Sequence, residues 1–159
     1  GVTKHTVLRH SNIYGPHDNF NIQTGHVLPS LIHKCYLAQK NNTDFVVWGT
    51  GKPLREFIFS KDIAKLTEWV LENYTDSEPI IFSTSDAVPI KDVVDLIVEY
   101  MNFKGNVVWD REKPDGQYRK PSSIEKLNSL IPEYDFVSIE DGLKETVEWF
   151  YQNYDVARK

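Results

Sequence analysis

The chain has 159 residues, enough for one domain with a true core. Its 40% hydrophobic and 26% charged residues suit a soluble globular protein, and a net charge of -5 argues against a general nucleic-acid or anionic-membrane surface. The single cysteine, Cys35, excludes an internal disulfide and fits a reducing cytoplasm, and no apolar run is long enough to span a membrane. The first residues lack both a methionine start and the apolar core of a signal peptide, which reads as a cut or processed chain.

Thr6 to Arg9 reads as a short buried strand. Ser11 to Gly25 is rich in Asn, Gly, Pro and Asp and reads as a long loop, a kind of segment that is usually functional in a compact domain. His26 to Lys40 reads as a helix, with Pro29 tolerated in its first turn. Asp44 to Trp48 and Arg55 to Phe59 read as strands around the turn sequence Gly49-Thr50-Gly51-Lys52-Pro53. Ser60 is the expected cap of the next helix, whose inward face is Ile63, Leu66, Val70, Leu71 and Tyr74. Pro79 to Ser83 is β-rich. Ile90, Val93, Val94, Ile97 and Met101 repeat at helical spacing. Asn106 to Asp110 is a strand, then a charged loop runs from Arg111 to Pro121. Ser122 to Leu130 and Ser138 to Tyr154 are the last helices. Alternating strands and helices predict an α/β layer structure.

All five histidines, His5, His10, His17, His26 and His33, fall early in the chain. None shows the spacing of a zinc site, so no metal is expected. His26 and His33 could share a helix face. His26 starts a helix after a polar loop, where an imidazole can donate or accept a proton, although a surface histidine at a cap looks the same. Trp48 at a strand end offers an aromatic plane, and Arg55 a planar fork suited to a diphosphate. The strings Tyr36-x-x-x-Lys40 and Tyr100-x-x-x-Lys104 copy a reductase spacing that a chain with eight tyrosines meets by chance. Gly49-x-Gly51 lacks the third glycine of a dinucleotide loop.

Three strings carry a resemblance: Asn12-Ile13-Tyr14-Gly15-Pro16-His17-Asp18-Asn19-Phe20 with His26-Val27-Leu28-Pro29, Trp48-Gly49-Thr50-Gly51 with Arg55-Glu56-Phe57, and Lys113-Pro114-Asp115-Gly116-Gln117 with Arg119-Lys120. With these the chain resembles the C-terminal half of the GDP-L-fucose synthases, extended short-chain dehydrogenases/reductases. The resemblance implies an α/β fold, the substrate-binding part of such an enzyme, with the last piece of the Rossmann-like sheet at its N-terminus. It divides the chain into a residual coenzyme-domain strand and active-site loop over 1–25, and a nucleotide-sugar domain over 26–159.

The resemblance makes His26 a catalytic acid that also touches the coenzyme, NADP(H). It lays His10, Ser11, Asn12 and Ile13 along the nicotinamide end. It assigns Lys34, Trp48, Arg55, Asp115 and Lys120 to a GDP-sugar. It leaves Cys35 as a packed core thiol, and implies a homodimer formed through the coenzyme half. The Ser/Tyr/Lys set and the glycine-rich loop of these enzymes are not in the chain, so the piece alone is expected to be inert. A stand-alone nucleotide-sugar binding module and a histidine-based metal hydrolase are the competing readings.

Overall fold

Strand–helix alternation dominates the computed structural model, which describes residues 5–159. In chain order the elements are β1 (Leu8–His10), β2 (Asn12–Tyr14), α1 (Val27–Asn41), β3 (Phe45–Trp48), β4 (Leu54–Phe59) and α2 (Ser60–Asn73). There follow β5 (Ile80–Phe82), β6 (Ala87–Pro89), α3 (Ile90–Tyr100), β7 (Val107–Asp110), α4 (Glu125–Leu130) and α5 (Ile139–Gln152). The expected α/β class holds. Three strand pairs are parallel, β1 with β5, β2 with β4 and β3 with β7, and β6 joins β4 antiparallel. Parallel partners need long crossovers, and the helices supply them.

The larger core lies among α1, α3, α5 and the strands β3 and β4, around Phe20, Leu28, Ile32, Phe45, Val94, Ile97, Leu143 and Phe150. A second core joins Ile58, Leu66, Val70, Ile80, Phe82 and Leu127. Adjacent residues of β4 feed both, Phe57 and Phe59 one and Ile58 the other, because successive side chains of a strand point to opposite faces. Each fully buried aromatic such as Phe150 contributes about 1.5–3 kcal/mol. Ser138 caps α5 by accepting from the Asp141 amide at 3.0 Å. Among the described residues no helix is long and apolar enough to cross a membrane.

Several expectations need correction. The first strand is Leu8–His10, not Thr6 to Arg9, and it is not buried: Arg9 and His10 are exposed, because β1 has a partner on one side only, β5. Part of the expected loop is the strand β2, held by its register with Phe57, Ile58 and Phe59. Three residues are too few to show an alternating pattern. β6 is equally short, and no expectation covered it.

Ser60 does not cap α2. β4 runs straight into that helix, so Phe59 occupies the cap position, and no side chain bonds there. Leu71 is 82% exposed instead of inward. It lies one residue beyond Val70, rotated by about 100° around the helix from the buried stripe. α4 starts at Glu125 rather than Ser122.

Candidate functional site

A cleft of about 650 Å³ opens where β1, β2, β4, the start of α1 and the 117–122 segment meet. His10, Ser11, Asn12 and Ile13 form one wall, Arg55 and Glu56 a second, and His26, Gln117, Lys120 and Ser122 close the rim.

The walls are fixed by hydrogen bonds between elements. Asn12 Nδ2 donates to the Glu56 carbonyl at 2.8 Å, tying β2 to β4. Glu56 is 3% exposed, and its carboxylate is shared out. Oε2 accepts from Ser83 Oγ at 2.8 Å, and Oε1 accepts from the Ser122 amide at 3.1 Å. A buried carboxylate is tolerable only with such donors. Arg55 Nη1 donates to the carbonyls of Leu54 at 2.8 Å and Gln117 at 2.7 Å. The guanidinium is thereby held beside the segment that carries Lys120, and the two cations give the cleft a local positive pole in a net acidic chain. The chain comes close at Gly15, where a Cβ would strike Ser60 Oγ.

His26 occupies the cap position of α1 but makes no capping hydrogen bond, so its exposed imidazole stays available to a ligand in the cleft. Ser11 Oγ is buried and has no partner. A lone hydroxyl of that kind in a cleft wall is an unused donor and acceptor for a ligand.

Three of the expected site residues stand apart from this lining. Trp48, at the end of β3, is 59% exposed, with Lys34 Nζ 4.3 Å and Lys113 Nζ 5.6 Å from its ring. An exposed aromatic plane between two ammonium groups suits a flat, anion-bearing ligand. Partial burial lowers the Lys34 pKa. Asp115 Oδ1 accepts from the Thr50 amide at 2.6 Å, and Oδ2 from Thr50 Oγ1 at 2.7 Å. These bonds hold its carboxyl below the ordinary carboxylate range. Gly49, at φ +84°, leaves the space that Asp115 Oδ1 fills. The 113–120 string is thus latched to the turn after Trp48 at one end and to Arg55 further on.

Sequence reasoning missed Glu56, Gln117, Ser122 and His17 on the cleft lining. The signal for Glu56 was a charge inside an apolar strand. His17 carried a sign visible only in the backbone, a left-handed φ of 67°, with its ring 4.5 Å from that of Trp149. His33 and His26, seven residues apart at the start of α1, differ in burial. His33 is buried at 7% exposure, whereas His26 is exposed. Cys35 is fully buried, and burial pushes its thiol up to about 12, as a core residue requires. Tyr36 packs on Tyr154 at 4.1 Å, which accounts for one decoy string. Among the described residues no three His, Cys, Asp or Glu side chains come together to hold a metal.

The model of the NAD dependent epimerase/dehydratase family matches residues 2–83. The chain is 51% identical to the GDP-L-fucose synthase of Dictyostelium discoideum over 98% of its own length and 49% of that protein. It is 36% identical to the GDP-L-fucose synthase of Escherichia coli over 93% of the chain and 49% of that protein. A GDP-L-fucose synthetase of Naegleria fowleri solved with NADP superposes with a TM-score of 0.95 at 49% identity, over 97% of this chain and 47% of that one. The chain therefore spans about half the length of the curated relatives it matches. On the family match, and on a shared fold over almost its whole length, the chain belongs to the NAD dependent epimerase/dehydratase family.

Proposed function

We propose that the chain is the substrate-binding half of an NADPH-dependent enzyme that converts GDP-4-keto-6-deoxy-D-mannose to GDP-L-fucose. In this reading residues 1–25 carry the end of the coenzyme part and the active-site loop, and residues 26–159 the nucleotide-sugar domain. The observation that carries it is the convergence of His10, Ser11, Asn12, Ile13, His26, Arg55 and Lys120 on one cleft of nucleotide size.

The division of labour follows from the chemistry of each group. Arg55 and Lys120 bind the diphosphate, Arg55 through its planar fork. Trp48 stacks on the base or ribose, with Lys34 and Lys113 beside it adding charge. Asp115 accepts from the guanine N–H groups through lone pairs that its bonds to Thr50 leave over.

His26 exchanges a proton at its imidazole with a carbon next to the sugar ketone, which is what epimerisation requires. His10 to Ile13, the unpartnered Ser11 hydroxyl among them, and His26 would hold the nicotinamide end of the coenzyme. The coenzyme, when bound, supplies the hydride for the ketone reduction. The Tyr that protonates the ketone oxygen is not among these residues, so the chain alone binds without turning over. The whole enzyme is read as a cytoplasmic homodimer.

The test is calorimetric titration of GDP into the chain, with NADPH in parallel and Trp48→Ala as control. Binding that disappears with Trp48→Ala is the expected result. Undiminished GDP binding by Trp48→Ala would refute the stacking role of Trp48, and no GDP binding at all would refute a preformed GDP site in this chain. A glycine-rich loop and a Tyr-x-x-x-Lys set encoded ahead of this chain would separate this reading from a stand-alone nucleotide-sugar module.

A further inference from the structure

His33 is a buried histidine that no reading above uses. Its Nδ1 lies 2.9 Å from the Phe20 carbonyl oxygen, and its Nε2 is buried with no partner. A carbonyl can only accept, so Nδ1 carries the proton. The neutral Nδ1–H tautomer is the form that leaves no buried N–H without an acceptor. Burial, opposed by the hydrogen bond to the Phe20 carbonyl and aided by the Lys159 ammonium, pushes the imidazole pKa down and favours the neutral ring. The ring sits 5.6 Å from that of Phe150 and 5.9 Å from that of Tyr154.

Phe20 is a pivot. It is fully buried, and its amide donates to the Arg158 carbonyl at 2.7 Å. Its two peptide groups are thus tied to α1 through His33 and to the C-terminal segment through Arg158. Its ring stacks between Trp149 at 5.8 Å and Phe150 at 4.5 Å, and Trp149 in turn lies under His17 on the cleft lining. Beyond Phe20 a compact turn leads to His26. Asn21 Oδ1 accepts from the amides of Gln23 at 2.9 Å and Thr24 at 3.0 Å, and the Gly25 amide donates to the Asn21 carbonyl at 2.8 Å. A turn this short transmits the position of Phe20 to His26.

We propose that His33 is a positioning residue: its Nδ1–H grips the Phe20 carbonyl, and through that grip sets the loop that delivers His26 to the cleft. The grip itself stands on geometry alone. Its consequence for proton transfer rests on the reading of His26 as the acid.

Three substitutions test it in this chain without any ligand, so a failed GDP titration leaves the result intact. His33→Phe keeps a ring against Phe150 and Tyr154 but removes the donor. His33→Asn places an amide N–H near the Nδ1 position, and His33→Gln places one near Nε2. The readouts are hydrogen exchange at the Phe20 and Gly25 amides and the C2–H resonance of His26, with thermal melts to check folding. His33→Phe should speed both exchanges about tenfold, the loss of one buried hydrogen bond, and shift or broaden the His26 resonance. Asn should restore both readouts, and Gln should not. If Phe does not fold, the contrast between Asn and Gln carries the same decision. Wild-type exchange and an unmoved His26 resonance in His33→Phe, or equal rescue by Gln and Asn, would overturn the assignment.

Discussion

Gly142→Ala is the substitution for which helix propensity and packing give opposite answers. Gly142 lies inside α5, where alanine ordinarily stabilises by about 0.5–1 kcal/mol. Here the added Cβ would fall inside hard contact with Tyr14 Oη and 3.0 Å from both Tyr14 Cζ and Phe59 Cδ2. Tyr14 and Phe59 are 2% and 1% exposed and pack on each other at 5.4 Å, so neither ring has room to withdraw. Overpacking of this kind costs about 1–3 kcal/mol, which outweighs the propensity gain and leaves a net destabilisation of up to about 2.5 kcal/mol.

The assay is urea denaturation followed by tryptophan fluorescence. The midpoint should fall with the slope unchanged. Adding Tyr14→Phe removes the hydroxyl, and with it the hardest contact, so the double variant should recover part of the loss. The contacts at 3.0 Å remain, and recovery should be incomplete. A higher midpoint for Gly142→Ala alone would show that propensity wins, and would refute the packing argument at Tyr14 and Phe59.

Glu56→Met removes both acceptors, leaves the buried Ser83 hydroxyl and the Ser122 amide without their partner, and should cost about 1–3 kcal/mol in the same denaturation assay. A neutral effect would mean that the carboxylate does not tie the cleft walls together. Cys35, buried and raised to about 12, should resist thiol reagents in the folded chain at mildly alkaline pH and react fully once unfolded. Rapid labelling of the folded chain would contradict its burial.

Thr50→Val removes the hydroxyl bond to Asp115, so the Asp115 titration, followed by NMR, should move up toward the ordinary value of 3.8. The depressed folded value means the latch adds stability above that ordinary value and loses it as pH falls through the lowered one. An unchanged Asp115 titration in Thr50→Val would show that the latch does not hold the carboxylate.

What could be read in advance depended on the length of the pattern. α3 and α5 repeat apolar residues over several turns, and both helices were legible, α3 together with its inward face. β2 and β6 have three residues each and exist only because β4 offers them a partner, so no local pattern could announce them. Leu71 went wrong for a related reason. Its own hydrophobicity says inward, but the stripe of α2 that meets β4 is too narrow to reach it.

The site divided in the same way. The candidate groups, His26, Arg55, Trp48 and the 113–120 string, could be picked out because their residue types and spacing are written in the chain. Their spatial relations were not. Only the tertiary structure puts His10 to Ile13 across a cleft from Arg55 and Lys120, and leaves Trp48 outside its lining. Only packing turns His33 from one of five similar histidines into a buried donor, because the Phe20 carbonyl reaches it through a fold of the loop. Sequence by itself determines which groups are available and which local segments are stiff. Distance, burial and hydrogen-bond partners come from crossovers and loops that bring remote residues together, and those decide what each group can do.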